Sequence, residues 1–308
     1  MEELLNSQIM NTRLFNGHIK GLASKMDIVI LKENKMIRNN PHNRTIFINT
    51  RDKNGNTIVF FYEYLFKQLN NKKINLVIAG EDWTFPRSID KRMSRTPKYK
   101  LDIFAEIINH PNINKIYVEN LDMNINPQKV IPIPLGINPK EGPINFRYFN
   151  KHFSTNKILK VTNLNRDRSG KGQWLERGHV RGLCNSSWSN VFVKVNENFD
   201  QNKYLKILSK YAFTLCIHGG GLDPCPKLFE AIICGVIPII KECKPLTDVF
   251  LDLPVVIVKK WTPGTLNPRN LKIWLNKYKK FHLDKNLRYE TLKKLSLNYW
   301  VEKINNID

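Results

Sequence analysis

The chain is short of acidic residues: 27 Asp and Glu stand against 49 Lys and Arg in 308 residues, a formal charge of +22 at neutral pH. It is also short of cysteine. The five present, Cys184, Cys216, Cys225, Cys234 and Cys243, are odd in number, form no C-x-x-C pair and lie mostly in apolar surroundings, which argues against a disulfide framework or a zinc site. Long apolar runs are missing too. The longest, Ala231–Ile240, is about half of the ~20 residues that a membrane-spanning helix requires, and the chain opens Met-Glu-Glu without a basic-then-apolar leader, so a soluble, cytoplasmic protein is expected. There is no internal repeat and no low-complexity tract. With 42% hydrophobic and 10% aromatic residues, the chain has too much apolar content for disorder, and its length suits two domains.

The basic excess invites a nucleic-acid reading, because phosphate neutralisation dominates that kind of affinity. Here the excess is spread along the chain, no DNA- or RNA-binding signature accompanies it, and richness in Asn and Ile points to an AT-rich coding bias that inflates lysine. The densest stretch, Lys259–Lys294, includes Lys277, Lys279, Lys280, Arg288, Lys293 and Lys294. Leu292, Leu295 and Tyr299 recur there at helical spacing, so the lysines read as the solvated face of C-terminal helices, with weak association to an anionic membrane or polyanion as the alternative. No specific nucleic-acid partner is expected.

Period and punctuation organise the rest. Asp27–Leu31 is a short apolar segment, and Thr45–Asn49, Ile74–Ala79, Lys115–Val118 and the Pro-broken Val130–Leu135 read as extended, buried runs. Between them, Ile58, Phe61, Tyr62, Leu65 and Leu69 share one helical face, entered by an Asn54-Gly55-Asn56 turn with Thr57 as cap, and Leu101–Ile108 is a second helix. After a polar region at 136–153, strands at Ile158–Thr162, Val191–Val195, Phe213–Ile217, Val236–Ile240 and Val255–Val258 are joined by helices at Tyr204–Lys210 and Lys227–Cys234, and two helices follow. Alternation of this kind implies an α/β protein with parallel sheets covered on both faces, two Rossmann-like doubly wound domains facing a cleft. The expected division is 1–145, 146–290, and a C-terminal helix at 291–308 packing back across the domains. Ligands of such sheets bind beyond the carboxyl ends of the strands.

Residues 213–240 carry the most chemistry. A buried strand ends in His218-Gly219-Gly220-Gly221, and a helix opens at Pro226, whose ring presets the first turn. Glycines free at positive φ let backbone N–H groups approach an anion, Lys227 adds a full positive charge at the helix N-terminus, and His218 stands within reach of a phosphate. Glu230, one turn deeper, can accept hydrogen bonds from vicinal hydroxyls. Together these fit a nucleoside diphosphate. The plainer reading is a flexible loop before a core helix, since three glycines alone match neither the Walker pattern nor the dinucleotide fingerprint.

The whole arrangement, from the strand through Pro226-Lys-Leu-Phe-Glu-Ala-Ile and Gly235 to Val-Ile-Pro-Ile-Ile, resembles the donor-binding segment of the exostosin-like glycosyltransferases, glycosyltransferase family 47. That segment reads roughly Arg-Leu-x-Glu-Ala-Ile-x-x-Gly-x-Ile-Pro-Val-Ile. Pro245-Leu246, Asp248-Val-Phe250 and Val255–Val258 extend the likeness, which is good over 211–258 and moderate over 45–140, where Pro134-Leu-Gly136 resembles the family's turn near the domain junction. The resemblance implies a GT-B-type fold, an inverting mechanism, a nucleotide sugar held mainly by the C-terminal half, and Glu230 on the donor ribose. Lys227 stands where the family commonly has Arg and lacks its bidentate fork, and Cys225 stands where Ser is frequent. Family members usually carry a membrane anchor; this chain shows none, so a cytosolic relative, bacterial or viral, is expected.

An inverting transfer needs a carboxylate to take the proton of the acceptor hydroxyl as it attacks the anomeric carbon. Gly80-Glu81-Asp82-Trp83 follows a strand of the first half, which makes Asp82 the candidate base, Glu81 the second candidate and Trp83 a stacking platform for the acceptor; otherwise Asp82 caps a turn and Trp83 packs in the core. In the basic loop Asn163–Gly172, Arg166 and Arg168 are the candidates for holding the leaving diphosphate, with Lys171, Arg177 and Arg181 as alternates. The chain has no Asp-x-Asp, which fits metal-free transferases of this kind. The expectation is therefore no cofactor or metal, a nucleotide sugar as co-substrate, UDP-linked with xylose as the working choice, and a glycan hydroxyl as acceptor. A GDP-fucose-dependent GT-B fucosyltransferase is the alternative enzyme. A non-catalytic basic protein on nucleic acid or anionic surfaces is the rival from another class.

Overall fold

Strands form on short runs dominated by aliphatic residues. Ile74-Asn-Leu-Val-Ile-Ala79 is buried at every position, as expected of a parallel strand covered on both faces. The computed structural model describes residues 1–14, 19–42, 44–50, 56–66, 72–89, 101–138, 145–164, 174–195, 200–219 and 221–306. Among them, β1 (Ile28–Ile30), β2 (Met36–Arg38), β3 (Thr45–Asn49), β4 (Ile74–Ala79), β5 (Ile113–Glu119) and β6 (Val130–Ile133) form a sheet of order β2-β1-β3-β4-β5-β6, parallel except for β2 against β1.

Alternation along these strands sends neighbouring residues to opposite faces. The row Val29, Phe47, Val77, Tyr117 and Ile131 is in register across the sheet and faces one apolar cluster; the next row, Ile30, Ile48, Ile78 and Val118, faces another. Helix α1 (Glu2–Asn6) precedes the sheet. Helix α2 (Asn56–Phe60), widened into a π-helical turn through Leu65, and α3 (Leu101–Asn109) cover the second row with Ile58, Phe61, Phe104 and Ile107. Thr57 lies in the first turn of α2 and donates to the Asn49 carbonyl at 3.1 Å, tying the helix to the end of β3. The expected Asn54-Gly55 turn and Leu69 lie outside the described residues.

After α4 (Phe146–Asn150) comes the second sheet. Its elements are β7 (Ile158–Thr162), α5 (Trp174–Asn185), β8 (Phe192–Val193), α6 (Gln201–Leu208), β9 (Tyr211–Leu215), α7 (Lys227–Ile233), β10 (Ile237–Lys241) and β11 (Val256–Val258). The order is β11-β10-β9-β7-β8 with every pairing parallel. The chain winds outward from β7 to β8 and then crosses back to β9, so a topological switch point lies between β7 and β9. Helix α5 was not expected: Gly178, Gly182 and four charged or His side chains dilute its period, and only Val180, Leu183 and Cys184 are buried. The α/β reading with two doubly wound halves holds.

Helices α8 (Pro268–Tyr278), α9 (Lys280–Leu283), α10 (Lys285–Leu295) and α11 (Leu297–Asn305) close the fold. Leu292 and Leu295 are buried while Lys277, Lys279, Lys280 and Lys293 are exposed; Arg288 is the exception, buried over the Phe153 ring at 3.6 Å and donating to the Ile233 carbonyl. Helix α11 returns to the first sheet. Asn75 on β4 donates to the Ile304 carbonyl at 2.6 Å and the Tyr117 hydroxyl on β5 to the Lys303 carbonyl at 2.8 Å, while Trp300 and Ile304 join the apolar cluster under the first row. No helix of the described residues is long and apolar enough to cross a membrane.

His282 on α9 is buried, and neither ring nitrogen has a hydrogen-bond partner. Burial, with Arg288 and Lys157 adding repulsion, pushes its pKa from 6.5 down to about 3. The unfolded chain therefore binds this proton first as pH falls, and the residue costs stability in acid. In calorimetric scans, His282→Leu should gain on the wild type progressively from pH 7 to pH 4, with the Tm gap widening on the order of 5 °C; a gap independent of pH is the contrary result.

Candidate active site

Because β4, β5 and β6 run parallel, the segments after them emerge at one edge: Gly80-Glu81-Asp82, Asn120, and Leu135-Gly136. From the second sheet, β9 delivers Cys216 to Asp223 to its own carboxyl edge, and the two edges meet. Asn120 Oδ1 accepts from the Leu222 and Asp223 amides at 2.8 and 2.9 Å, and its Nδ2 donates to the Glu81 carbonyl at 3.3 Å. The Asp223 carboxylate accepts from Leu135 N at 3.1 Å, across the gap, and from Cys225 N at 2.9 Å in its own loop. Gly221 has φ +58°, and a Cβ there would stand 2.4 Å from Asn120 Oδ1 and 2.5 Å from the Asp82 carbonyl oxygen. Glycine is what lets the loops come this close.

Arg13 fills the acidic side of the junction. It pairs with Asp82, with Glu119 at 3.4 Å and with Glu81 at 3.9 Å. Glu119 is 1% exposed, and its Oε2 accepts from the Thr12 hydroxyl and Gly80 N, both at 2.8 Å. Burial pushes Glu119 up to about 7, against the pull of Arg13 and these two donors, and pushes Asp223 up to about 6. Burial works to lower the Arg13 pKa, but Glu119, Asp82, Glu81 and Asp223 outweigh it and raise it. Crowded carboxylates around one guanidinium thus hold a proton near neutrality.

The second half supplies the cations. Arg177, in the first turn of α5, donates from Nε to the His218 carbonyl at 2.8 Å, and a Cβ on Gly219 would stand 3.0 Å from its Nη2, so the guanidinium lies along the glycine loop. His218 is 4% exposed with Nδ1 unpartnered; burial pushes its pKa down, opposed by Glu176 and reinforced by Lys241. Glu176 itself pairs with Lys241 and accepts from Trp261 Nε1 at 2.6 Å. Lys227 is 7% exposed beneath the loop, donating to the Leu215 carbonyl at 3.2 Å, and burial lowers its pKa. Glu230 is half-buried beside Tyr204, whose phenol is held well above its usual range by burial and by Glu230.

The structure thus gathers Glu81, Asp82, His218 and Gly219 at one junction, with Lys227 under it and Glu230 on the following helix. Asp82 is 45% exposed, whereas Trp83 is 8% exposed, a packed indole rather than an open platform. Arg181 is half-buried one turn beyond Arg177; Arg166, Arg168, Lys171 and Gly220 lie outside the described residues. Sequence reasoning missed Arg13, Glu119, Asn120 and Asp223. Glu119-Asn120 had a signal, since it follows a predicted strand directly; Arg13 lies in a stretch without period and had none. Among the described residues no group of His, Cys, Asp and Glu is arranged to hold a metal ion.

No protein family matches the chain, and no curated protein does. Among solved structures, an alpha1,3-fucosyltransferase is similar over 88% of this chain and 81% of its own, at 12% identity and a TM-score of 0.36, a likeness too slight to carry an argument.

The Glu119 proton gives a sign-specific test. The folded state keeps it up to about pH 7 and the unfolded chain only up to 4.5, so the stability contributed in acid is lost as pH rises through that window. Glu119→Gln should therefore gain on the wild type from pH 5 to pH 8, on the order of 5 °C in Tm, and then level off. A constant Tm difference would contradict the shift.

Proposed function

We propose that the chain is a glycosyltransferase moving a sugar from a nucleoside diphosphate to a glycan hydroxyl, with inversion. The observation that carries this reading is the meeting of the Glu81–Asp82 loop with the glycine loop, which brings a half-exposed carboxylate to the edge assigned here to the donor phosphates. The resemblance of residues 211–258 to the exostosin-like donor segment supports it and favours a UDP-linked sugar.

In this reading the diphosphate lies at the switch point between β7 and β9. There the N-terminal dipole of the 12-residue α5, the Arg177 guanidinium, the Gly219 amide and the unpartnered His218 Nδ1 face negative charge. Arg166 and Arg168, in the segment before α5, are assigned to the leaving group, Lys227 adds charge from beneath, and Glu230 takes the ribose hydroxyls. The acceptor oxygen attacks the anomeric carbon from the opposite side while Asp82, or Glu81 in its place, takes the proton.

A thermal-shift screen in chelator tests the donor: UDP and UDP-sugars should raise Tm, since a ligand bound by the folded state alone adds about 2.7 kcal/mol at a hundredfold excess over Kd. A preference for GDP would move the donor to the fucosyl type. No response to any nucleotide, together with salt-sensitive binding to nucleic acid, would overturn the transferase reading in favour of a basic binding protein. Once a donor is known, Asp82→Asn should leave the shift intact and lower turnover at least about 100-fold. Glu230→Ala should weaken donor binding about tenfold or more, the loss of a charge-assisted hydrogen bond. Normal turnover by Asp82→Asn would remove the base assignment.

A further inference from the structure

Asn120 follows β5 with φ +54°, a left-handed conformation that Asn adopts more readily than most residues. It is fully buried, and its bonds run across the gap between the halves. One end of the amide accepts from the Leu222 and Asp223 amides of the glycine loop; the other donates to the Glu81 carbonyl and lies 3.4 Å from Glu119 Oε1. The group is planar and rigid, so anchoring Oδ1 on one loop fixes where Nδ2 holds the other.

We propose that Asn120 is a positioning residue for the transfer reaction: it sets the register of the acidic loop against the glycine loop, and so the distance from the proton-accepting carboxylate to the bound donor. The inference rests on the transferase reading above. Glu81 is bonded to Asn120 through its carbonyl, and Asp82, the next residue, has its own carbonyl against Gly221, so a shift of the amide moves both acids relative to the donor edge. Displacement of a reacting group by about 1 Å can cost on the order of 100-fold in rate. Donor affinity draws, in this reading, on groups other than Asn120, namely Arg177, Gly219, His218 and Glu230. Losing Asn120 should therefore separate turnover from donor binding.

Asn120→Gly is the informative variant, because glycine keeps the left-handed backbone while deleting the amide; Asn120→Ala would add backbone strain of its own. It should lower kcat about 100-fold while the Kd for UDP, measured by titration calorimetry, stays within about threefold. Hydrogen exchange at Leu222 and Asp223 should accelerate in the same variant, a readout that does not depend on activity. Unchanged kcat, unchanged exchange, or an affinity loss as large as the loss of kcat would each overturn the positioning role. If the wild type turns over no nucleotide sugar although the variant still loosens 222–223, the transferase reading has failed and takes this role with it; normal wild-type turnover with an indifferent Asn120→Gly sinks the role alone. Should Asn120→Gly not fold, Asn120→Asp, which keeps the acceptor and deletes the donor to Glu81, carries the same kinetic test.

Discussion

A largely enclosed guanidinium surrounded by more carboxylates than it can neutralise is the constraint on which this junction depends. Arg13 comes from a segment with no regular structure of its own, yet Glu81, Asp82 and Glu119 converge on it, and Asp223 contributes from the other half. Brought together without a cation, these groups would repel one another and pull the loops apart, since an uncompensated buried charge is among the most expensive features a fold can hold. With Arg13 in place, β4 and β5 can end in acids that face a neighbouring loop at close range.

The first half presents Glu81, Asp82 and Glu119 gathered round Arg13; the second presents Arg177 and Lys227, with Lys241 paired to Glu176 and the Asp223 carboxylate beside them. Each edge forms one wall of the junction. Asn120 and Gly221 mark where the walls touch, one by bonding across and the other by leaving room.

Much of this architecture was legible in the residues. Thr45–Asn49, Ile74–Ala79 and Ile158–Thr162 were read to the residue because an aliphatic run bounded by polar residues has few alternatives as a strand. The glycine loop and α7 were legible for a similar local reason. What escaped was non-local: the Thr12–Glu119 bond joins residues 107 apart and the Arg13–Asp82 pair residues 69 apart, and no periodicity records such partners. Lys227 was read as a full positive charge at a helix N-terminus; the helix enters beneath its own loop and turns the side chain toward the end of β9. Helix α5 escaped because two glycines and five polar residues among its twelve leave little pattern to find.

The return of α11 to the first sheet bears on how the chain is made. Asn75 and Tyr117 receive their partners from residues 229 and 186 positions later, so a ribosome finishes the strands long before it supplies what covers them. During that interval Val77 and its neighbours in the first row lack Trp300 and Ile304 against them. The first half is therefore an unfinished folding unit until α11 has emerged, because α11 supplies part of the cover of its core.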